Sequence, residues 1–377
     1  MPVQVPRARI ASLTLRDFRN LGRLTLDVPD DGLVLVGENG AGKTNLLESL
    51  YYLSLLRSFR GARDVDVMAF GAEGFFLEAT VNVHETHEFS IGFEKTGRRK
   101  RVRRDGAIVE RMSDALGALP AVLFSPTDVS LVTGPPSARR RFMDIMLALS
   151  SRGYLHALQQ YRAALEQRNS ALRASTRGGL RHVSTIEAFE PALAEHGARL
   201  FTARRAWVAS VAERFARRCT AIGERGCAEL AYESSIGNPD DVPAALASAL
   251  AERRNHDMRH GSTHAGPHRD DLSLLLDARE LRSFGSAGQQ RSAAIVLRSL
   301  EAETLKESRD AAPVFLLDDP FAELDEGRAE RVLALLGEIG LGQSILAVPR
   351  DSDIPPELTS LERRRVVSGR LASDSAA

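Results

Sequence analysis

Gly37-Glu38-Asn39-Gly40-Ala41-Gly42-Lys43-Thr44 spells a complete GxxxxGK(S/T) loop, and the rest of the chain is read outward from it. An apolar run, Leu33 to Val36, precedes it, and Leu46, Leu47, Leu50, Leu53 and Leu56 follow at helical spacing, so the loop joins a buried strand to a helix. In that setting the glycines let successive backbone N–H groups curl around phosphate oxygens at a helix N-terminus. Lys43 reaches the outer phosphates and the Thr44 hydroxyl takes one position on magnesium. The expected nucleotide contacts are Gly37, Glu38, Asn39, Gly40, Ala41, Gly42, Lys43, Thr44 and the adjoining Asn45. The only lysines are Lys43, Lys95, Lys100 and Lys306, which makes a chance match to a lysine-requiring motif rare.

Far downstream, Val314-Phe315-Leu316-Leu317-Asp318-Asp319 reads as a buried strand that delivers two carboxylates to the carboxyl edge of a parallel sheet, where a phosphate loop also opens. Asp318 is the expected magnesium ligand, directly or through water. Asp319 is expected to orient or deprotonate the attacking water, which with Lys43 completes the catalytic set. Taken without the upstream loop, paired aspartates after a strand read better as a cap on the next helix; taken with it, the catalytic reading is favoured. Between these motifs, Ser286-Ala287-Gly288-Gln289-Gln290-Arg291 starts a helix rich in Ala, Ile and Leu, with Ser286, Gly288 and Gln289 at an N-terminus able to receive an anion.

At 377 residues and 43% hydrophobic content the chain has apolar mass for one large or two moderate domains. Lys+Arg and Asp+Glu are both 50, so bulk charge steers no polyanion and a nucleic-acid site must be a local patch. Cys219 and Cys227 fit no metal-ligand spacing. Arg7, Arg9, Arg16, Asp17 and Arg19 interrupt any signal-peptide run, and no later segment approaches a membrane-spanning length, so the cytoplasm is the expected compartment.

Short strands are expected from Arg9 to Val36 and alternating ones from Phe75 to Val109, with Asp105-Gly106 as a hairpin turn; together they suggest an antiparallel β layer. Tyr154, Leu158, Tyr161 and Leu165 mark one helix, and Ile186 to Phe215 a longer one, with loops at Thr176 to Gly179 and Ser234 to Pro239. The strand Leu272 to Leu276, the helix Gly288 to Leu305, the strand Val314 to Leu317 and the helix Glu326 to Leu336 return to α/β alternation. The first and last thirds therefore share one mostly parallel sheet core, interrupted by a helical insertion.

The Ser286-to-Gln290 turn, about thirty residues before the acidic strand, resembles the signature loop of ABC-type ATPases. That resemblance implies contact with the γ-phosphate of ATP held by a second subunit, and Glu323-Leu324-Asp325 is similar to the D-loop that lies across such a dimer. Other stretches resemble the RecF family, which is related to SMC heads. They are Leu15-Arg16-Asp17-Phe18-Arg19-Asn20-Leu21, Leu56-Arg57-Ser58-Phe59-Arg60, Leu123-Phe124-Ser125-Pro126-Thr127-Asp128, Arg139-Arg140-Arg141-Phe142-Met143-Asp144, Gln167-Arg168-Asn169 and Ala265-Gly266-Pro267-His268-Arg269-Asp270-Asp271. The resemblance implies an ABC-ATPase head with lobe I at residues 1–120 and 295–377 and a mainly helical lobe II at 121–294. It also implies an ATP- and Mg2+-dependent homodimer that clamps double-stranded DNA near single-strand gaps and loads RecA with RecO and RecR. Hydrolysis, weak and DNA-stimulated, would release the DNA. Other functions for the same head are energising a transporter, which the RecF-like chain ends disfavour, or controlling a defence effector, for which no nuclease is appended.

Three positions depart from the family pattern. Ala322 stands where the D-loop has serine, Pro320 follows the acid pair, and no threonine or histidine sensor stands near Ala347. Arg98, Arg99, Lys100 and Arg101 begin a basic hairpin arm that either grips a DNA backbone or is solvated charge. His256, His260, His264 and His268 recur every four residues, but Gly261, Gly266 and Pro267 break the helix that such spacing needs to present a metal face. Arg139 to Arg141 read as nucleotide-side or structural, and Trp207 as core.

Overall fold

The computed structural model describes residues 6–178, 183–322, 324–340 and 342–372, and only the backbone of 176–178 and Glu326. Its contacts divide the chain into two units, Met1–Asp128 with Leu297–Ala377, and Val129–Val296.

The first unit is organised by a six-stranded sheet in the order Arg370–Ala372, Glu362–Val367, Gly32–Val36, Ser344–Val348, Val314–Asp318, Ala121–Phe124. All neighbours are parallel except the terminal pair Glu362–Val367 and Arg370–Ala372. Strands covered on both faces must be apolar throughout, and Gly32–Val36, Val314–Asp318 and Ser344–Val348 are buried at every residue. The division by contacts lies after Asp128, not before Ala121, because Ala121–Phe124 pairs with Val314–Leu317 as part of this sheet.

A second sheet of the same unit is antiparallel and runs Leu21–Asp27, Arg9–Phe18, Gly74–Asn82, Thr86–Glu94, Arg99–Arg104, Ala107–Ile108. Asp105 and Gly106 close its last hairpin at φ 51° and 78°, the paired positive values that a two-residue turn requires. On the inner face Phe18, Phe75, Phe93 and Tyr52 pack edge-on or stacked, joining this layer to the helix Lys43–Leu55.

The second unit packs the helices Pro136–Ser150, Arg152–Gly178, Glu190–Ala221 and Val242–His260 with a three-stranded antiparallel sheet. Three sequence expectations change here. Asp271–Leu276 is not a strand of the parallel core; it pairs with Ala228–Glu233 and Arg279–Glu280, because its alternating buried face covers the helices of its own unit. The helix expected to loop out from Thr176 continues to Gly178, and Gly179 lies outside the described residues. Ile186 sits on a separate short helix, Val183–Glu187, with Pro191 in the first turn of the next. Trp207 is buried against Phe142, as a core residue should be.

Candidate functional site

The strand Gly32–Val36 feeds the phosphate loop, and the loop feeds the helix Lys43–Leu55. Two backbone demands explain its glycines. Gly42 sits at φ 115°, where side chains are strained, and a Cβ on Gly37 would stand 2.3 Å from the Val366 carbonyl oxygen. The loop is tied from outside as well: Gly369 N–H donates to the Ala41 carbonyl at 2.7 Å, and Asn45 Nδ2 donates to Asn20 Oδ1 at 2.8 Å.

Parallel pairing across the core brings the two distant motifs together. Thr44 Oγ1 donates to Asp318 Oδ1 at 2.8 Å across 274 residues of sequence. Lys43 is buried, and its ammonium donates to the carbonyls of Gly37 and Glu38. Burial lowers the Lys43 pKa, against the opposing pull of Asp318 and Asp319. The Asp318 carboxyl is raised, first by burial and then by Asp319, against the Thr44 hydrogen bond, Arg60 and Lys43. Both shifts have one physical cause: charged groups held at the mouth of a dry sheet edge. Asp319 adopts φ 46° and donates its N–H to the Ala347 carbonyl at 2.9 Å, so it turns the chain out of the strand beside Asp318.

These groups open on a cleft of about 440 Å3 lined by Asn39, Gly40, Gly42, Lys43, Thr44, Asn45, Arg60, Pro126, Asp318, Asp319 and Pro349. Glu38 and Ala41 line an adjoining hollow with Arg350 and Arg365. The lining is polar and carries both signs, with backbone N–H groups at a helix start, which suits a polyanion with a divalent cation.

Sequence reasoning assigned no role to Arg60, Arg19 or Glu48. Glu48 is fully buried on the phosphate-loop helix and accepts from Arg19 at 2.8 and 3.0 Å and from Ser58 Oγ at 2.5 Å, with Arg60 3.7 Å away. Arg60 also donates to Asn45 Oδ1 at 3.2 Å, which holds its guanidinium on the cleft wall. A glutamate two residues before a helical Leu50-Tyr51-Tyr52 run was the available signal, since a lone acid on an apolar face needs a cation.

Ser286 lies in the second unit and starts the helix Ala287–Arg309 through a reciprocal cap. The Ser286 N–H donates to Gln289 Oε1 at 2.8 Å, and the Gln289 N–H donates to Ser286 Oγ at 3.3 Å. Gly288 follows inside the first turn. Asp325 caps the helix Glu326–Ile339 by accepting from the Arg328 N–H at 2.9 Å, and Glu323 lies outside the described residues.

The basic arm divides by the pleat. Arg98, Arg99 and Arg101 are exposed, whereas Lys100 points inward to Asp64 at 2.8 Å, the Leu56 carbonyl at 2.7 Å and Tyr52 Oη at 3.0 Å. Lys100 is thus a structural cation, a correction to its place among expected DNA contacts, and it follows from strand alternation. Arg139 is structural too: it is buried and forks onto Asp271 at 2.8 and 2.6 Å, while Arg140 donates to the Asp270 carbonyl.

Among the described residues no helix is long and apolar enough to cross a membrane. Residues 9–349 match the model of the RecF/RecN/SMC N terminal domain. The DNA replication and repair protein RecF of Thermoanaerobacter sp. (strain X514) is 33% identical over 333 residues, covering 87% of this chain and 91% of that protein. The protein of the same name from Chlamydia trachomatis serovar A is 35% identical over 345 residues, covering 88% and 90%. A solved structure described as the recombination mediator protein RecF-ATP in the RecFOR pathway is 27% identical with a TM-score of 0.89 over 99% of both chains. An Smc head domain from Pyrococcus furiosus, 17% identical with a TM-score of 0.55 over 97% of this chain, shares the fold. With its phosphate loop and acidic strand meeting at one sheet edge and these likenesses spanning nearly its whole length, the chain belongs to the RecF family of DNA replication and repair proteins and has the fold of an ABC-type ATPase head.

Proposed function

We propose that this chain is an ATP-driven DNA clamp: ATP in the cleft pairs two copies around duplex DNA near single-strand gaps, and slow hydrolysis releases them. The observation that carries the reading is the Thr44–Asp318 hydrogen bond beside Lys43, because it joins a phosphate loop to an acidic strand at one opening. The RecF-ATP relative supports ATP as the nucleotide.

The roles follow from the chemistry of the groups. Backbone N–H groups of Gly40 to Thr44 hold phosphate oxygens. The Lys43 ammonium exchanges its carbonyl partners for outer phosphates, a favourable exchange for a desolvated cation meeting an anion. Thr44 and Asp318 fit magnesium, since a hydroxyl and a carboxylate already in contact are hard oxygen donors, and a buried carboxyl gains from a cation. The ion would supply charge neutralisation at the phosphates. Asp319 orients the attacking water and takes its proton as the water oxygen bonds to the γ-phosphorus and the bond to the bridging oxygen breaks, leaving ADP and phosphate. Ala322 in place of serine, Pro320 after the acid pair and Ala347 without a sensor side chain support slow turnover.

Ser286, Gly288 and Gln289 of each copy would seal the partner's nucleotide, with the capped helix start offering N–H groups to the γ-phosphate. Arg98, Arg99 and Arg101 would hold the DNA backbone. By family resemblance, and by the RecFOR pathway named for the solved relative, RecO and RecR join in loading RecA in the cytoplasm. A mobility-shift assay on duplex and gapped DNA with ATP, ADP or no nucleotide tests this. A salt-sensitive shift that needs ATP is expected; DNA affinity indifferent to nucleotide would overturn the clamp.

A further inference from the structure

No continuous helix presents His256, His260 and His264 as one metal face, because the helix breaks at Gly261, and the break is what assembles them. The helix Val242–His260 ends on Gly261 at φ 66°, whose N–H donates back to the Asp257 carbonyl at 2.8 Å. The chain then reverses and is pinned. Thr263 is held by Asn169 and Arg168 at 2.8 Å each, and the His264 carbonyl accepts from Arg253 at 3.2 Å. The reversal lays His264 against the last turn of the helix it has just left. Ring centroids of His256 and His264 stand 4.6 Å apart, those of His256 and His260 4.1 Å, and those of His260 and His264 5.5 Å.

We propose that this cluster is a binding site for a single nitrogen-preferring divalent transition metal such as Zn2+, with His256, His264 and Asp257 as its ligands and His260 beside them. His264 Nδ1 lies 2.9 Å from Asp257 Oδ1, and His256 Nδ1 lies 3.9 Å from the same oxygen. The three ligand atoms lie within 4.8 Å of one another, and ligand atoms ~2.1 Å from one ion in tetrahedral or octahedral order stand ~3.0–3.4 Å apart, so rotamer adjustment of the exposed His256 ring closes the triangle. On binding, the ion takes the place of the proton shared by His264 Nδ1 and Asp257 Oδ1, and that proton leaves to solvent. Asp257 is fully buried and its other oxygen is fixed by Arg168 at 2.8 Å, which aims Oδ1 at the imidazoles. His256 keeps 46% of its side-chain surface, which leaves an entry path. His260 donates Nδ1–H to the His256 carbonyl at 2.9 Å, and in that tautomer its Nε2 lone pair remains for a metal.

The neighbouring charges select the metal. Arg168 already neutralises much of Asp257, and Arg253 and Arg259 add positive charge, so oxygen-seeking Mg2+ and Ca2+ gain little, while Zn2+, Co2+ or Ni2+ draw their affinity from imidazole. Bound there, the ion would clip the 261–264 loop to the helix end, entirely within the second unit. This inference does not depend on the nucleotide reading.

The test uses the full chain without an affinity tag, stripped of metal and kept in excess Mg2+ so that hard-oxygen sites are filled. Zn2+ is titrated calorimetrically and Co2+ by its visible absorption. One equivalent is expected, with thermal stabilisation by Zn2+, and His256→Ala and His264→Ala each weaken binding at least about tenfold, in keeping with the loss of one ligand. His196→Ala, outside the cluster, leaves it unchanged. His256→Ala is the folding-safe arm, since that side chain is half exposed and circular dichroism checks its fold. Absence of the Co2+ band and of Zn2+ heat in the parent chain, or binding that survives both cluster variants, would overturn the site.

Discussion

Lys43 and Arg168 are both buried cations on long helices, yet one is held in reserve and the other is spent. Lys43 rests on two carbonyl oxygens that a phosphate can replace, with two aspartates nearby and burial lowering its pKa. Arg168 is locked between carboxylates, to Asp257 at 2.8 Å and Glu190 at 3.0 Å, with Thr263 on the same nitrogen as Asp257. Glu190 is tied in turn to Arg254, and Arg204 and Arg139 are anchored likewise to Asp144 and Asp271. The second unit's polar core is therefore a set of closed ion pairs, and the first unit's cleft is an open one. Buried charge makes a working site where its partners are exchangeable, and makes a scaffold where they are not.

That contrast is broken or sharpened by substitution. Arg168→Ala strands buried Asp257, leaves Glu190 to Arg254 alone, and should destabilise the fold by about 3–5 kcal/mol, read as a loss of thermal and urea stability, while surviving folded protein keeps its ATP affinity. A variant of native stability would show that the network is not closed. Lys43→Met should do the reverse: ATP affinity falls by about 100-fold or more, ~2.7 kcal/mol, with stability nearly unchanged. Asp319→Asn should keep ATP binding and slow hydrolysis by about 100-fold, accumulating the paired state; normal turnover would remove Asp319 from the chemistry.

pH separates the two units more gently. His268 is half-buried between Tyr161 Oη and the Thr263 carbonyl, and the desolvation of its ring pushes its pKa down to about 4. The unfolded imidazole takes a proton below its usual ~6.5, so between there and about 4 the unfolded chain binds more protons than the fold. Stability is thus full above ~6.5 and declines as pH falls through the window, by up to about 3 kcal/mol at its foot. His268→Gln should flatten that slope in urea titrations at pH 7 and 5; an unchanged slope would place the acid sensitivity elsewhere. The smallest effect concerns the arm: Arg101→Ala should weaken DNA binding and its salt dependence by roughly one phosphate contact, whereas Lys100→Met should lower stability and leave DNA affinity alone.

The sequence made the cleft legible because its two halves are contiguous motifs whose spelling reflects backbone need: glycines where φ is positive, an apolar run where both sheet faces are covered. It was silent where a role depends on a partner far along the chain. Glu48 becomes meaningful only beside Arg19, Ser58 and Arg60, and Lys100 turns inward only because strand register puts Asp64 beneath it. Asp271–Leu276 was placed in the wrong sheet since a short apolar strand carries no mark of its neighbour. Glu362–Val367 went unread because Arg363, Arg364 and Arg365 disguise a strand that pairs with Gly32–Val36 at the sheet's margin. Several family-like stretches, Arg139, Arg168 and Asp270 among them, turn out to hold the second unit together.

Sedimentation of the Asp319→Asn chain with ATP, with ADP and with ATP after Ser286→Arg bears most directly on the claim that two copies enclose their nucleotides. The account predicts a dimer with ATP, monomers with ADP, and monomers again when Ser286 is replaced by a bulky cation. Equal mass in all three samples would contradict it.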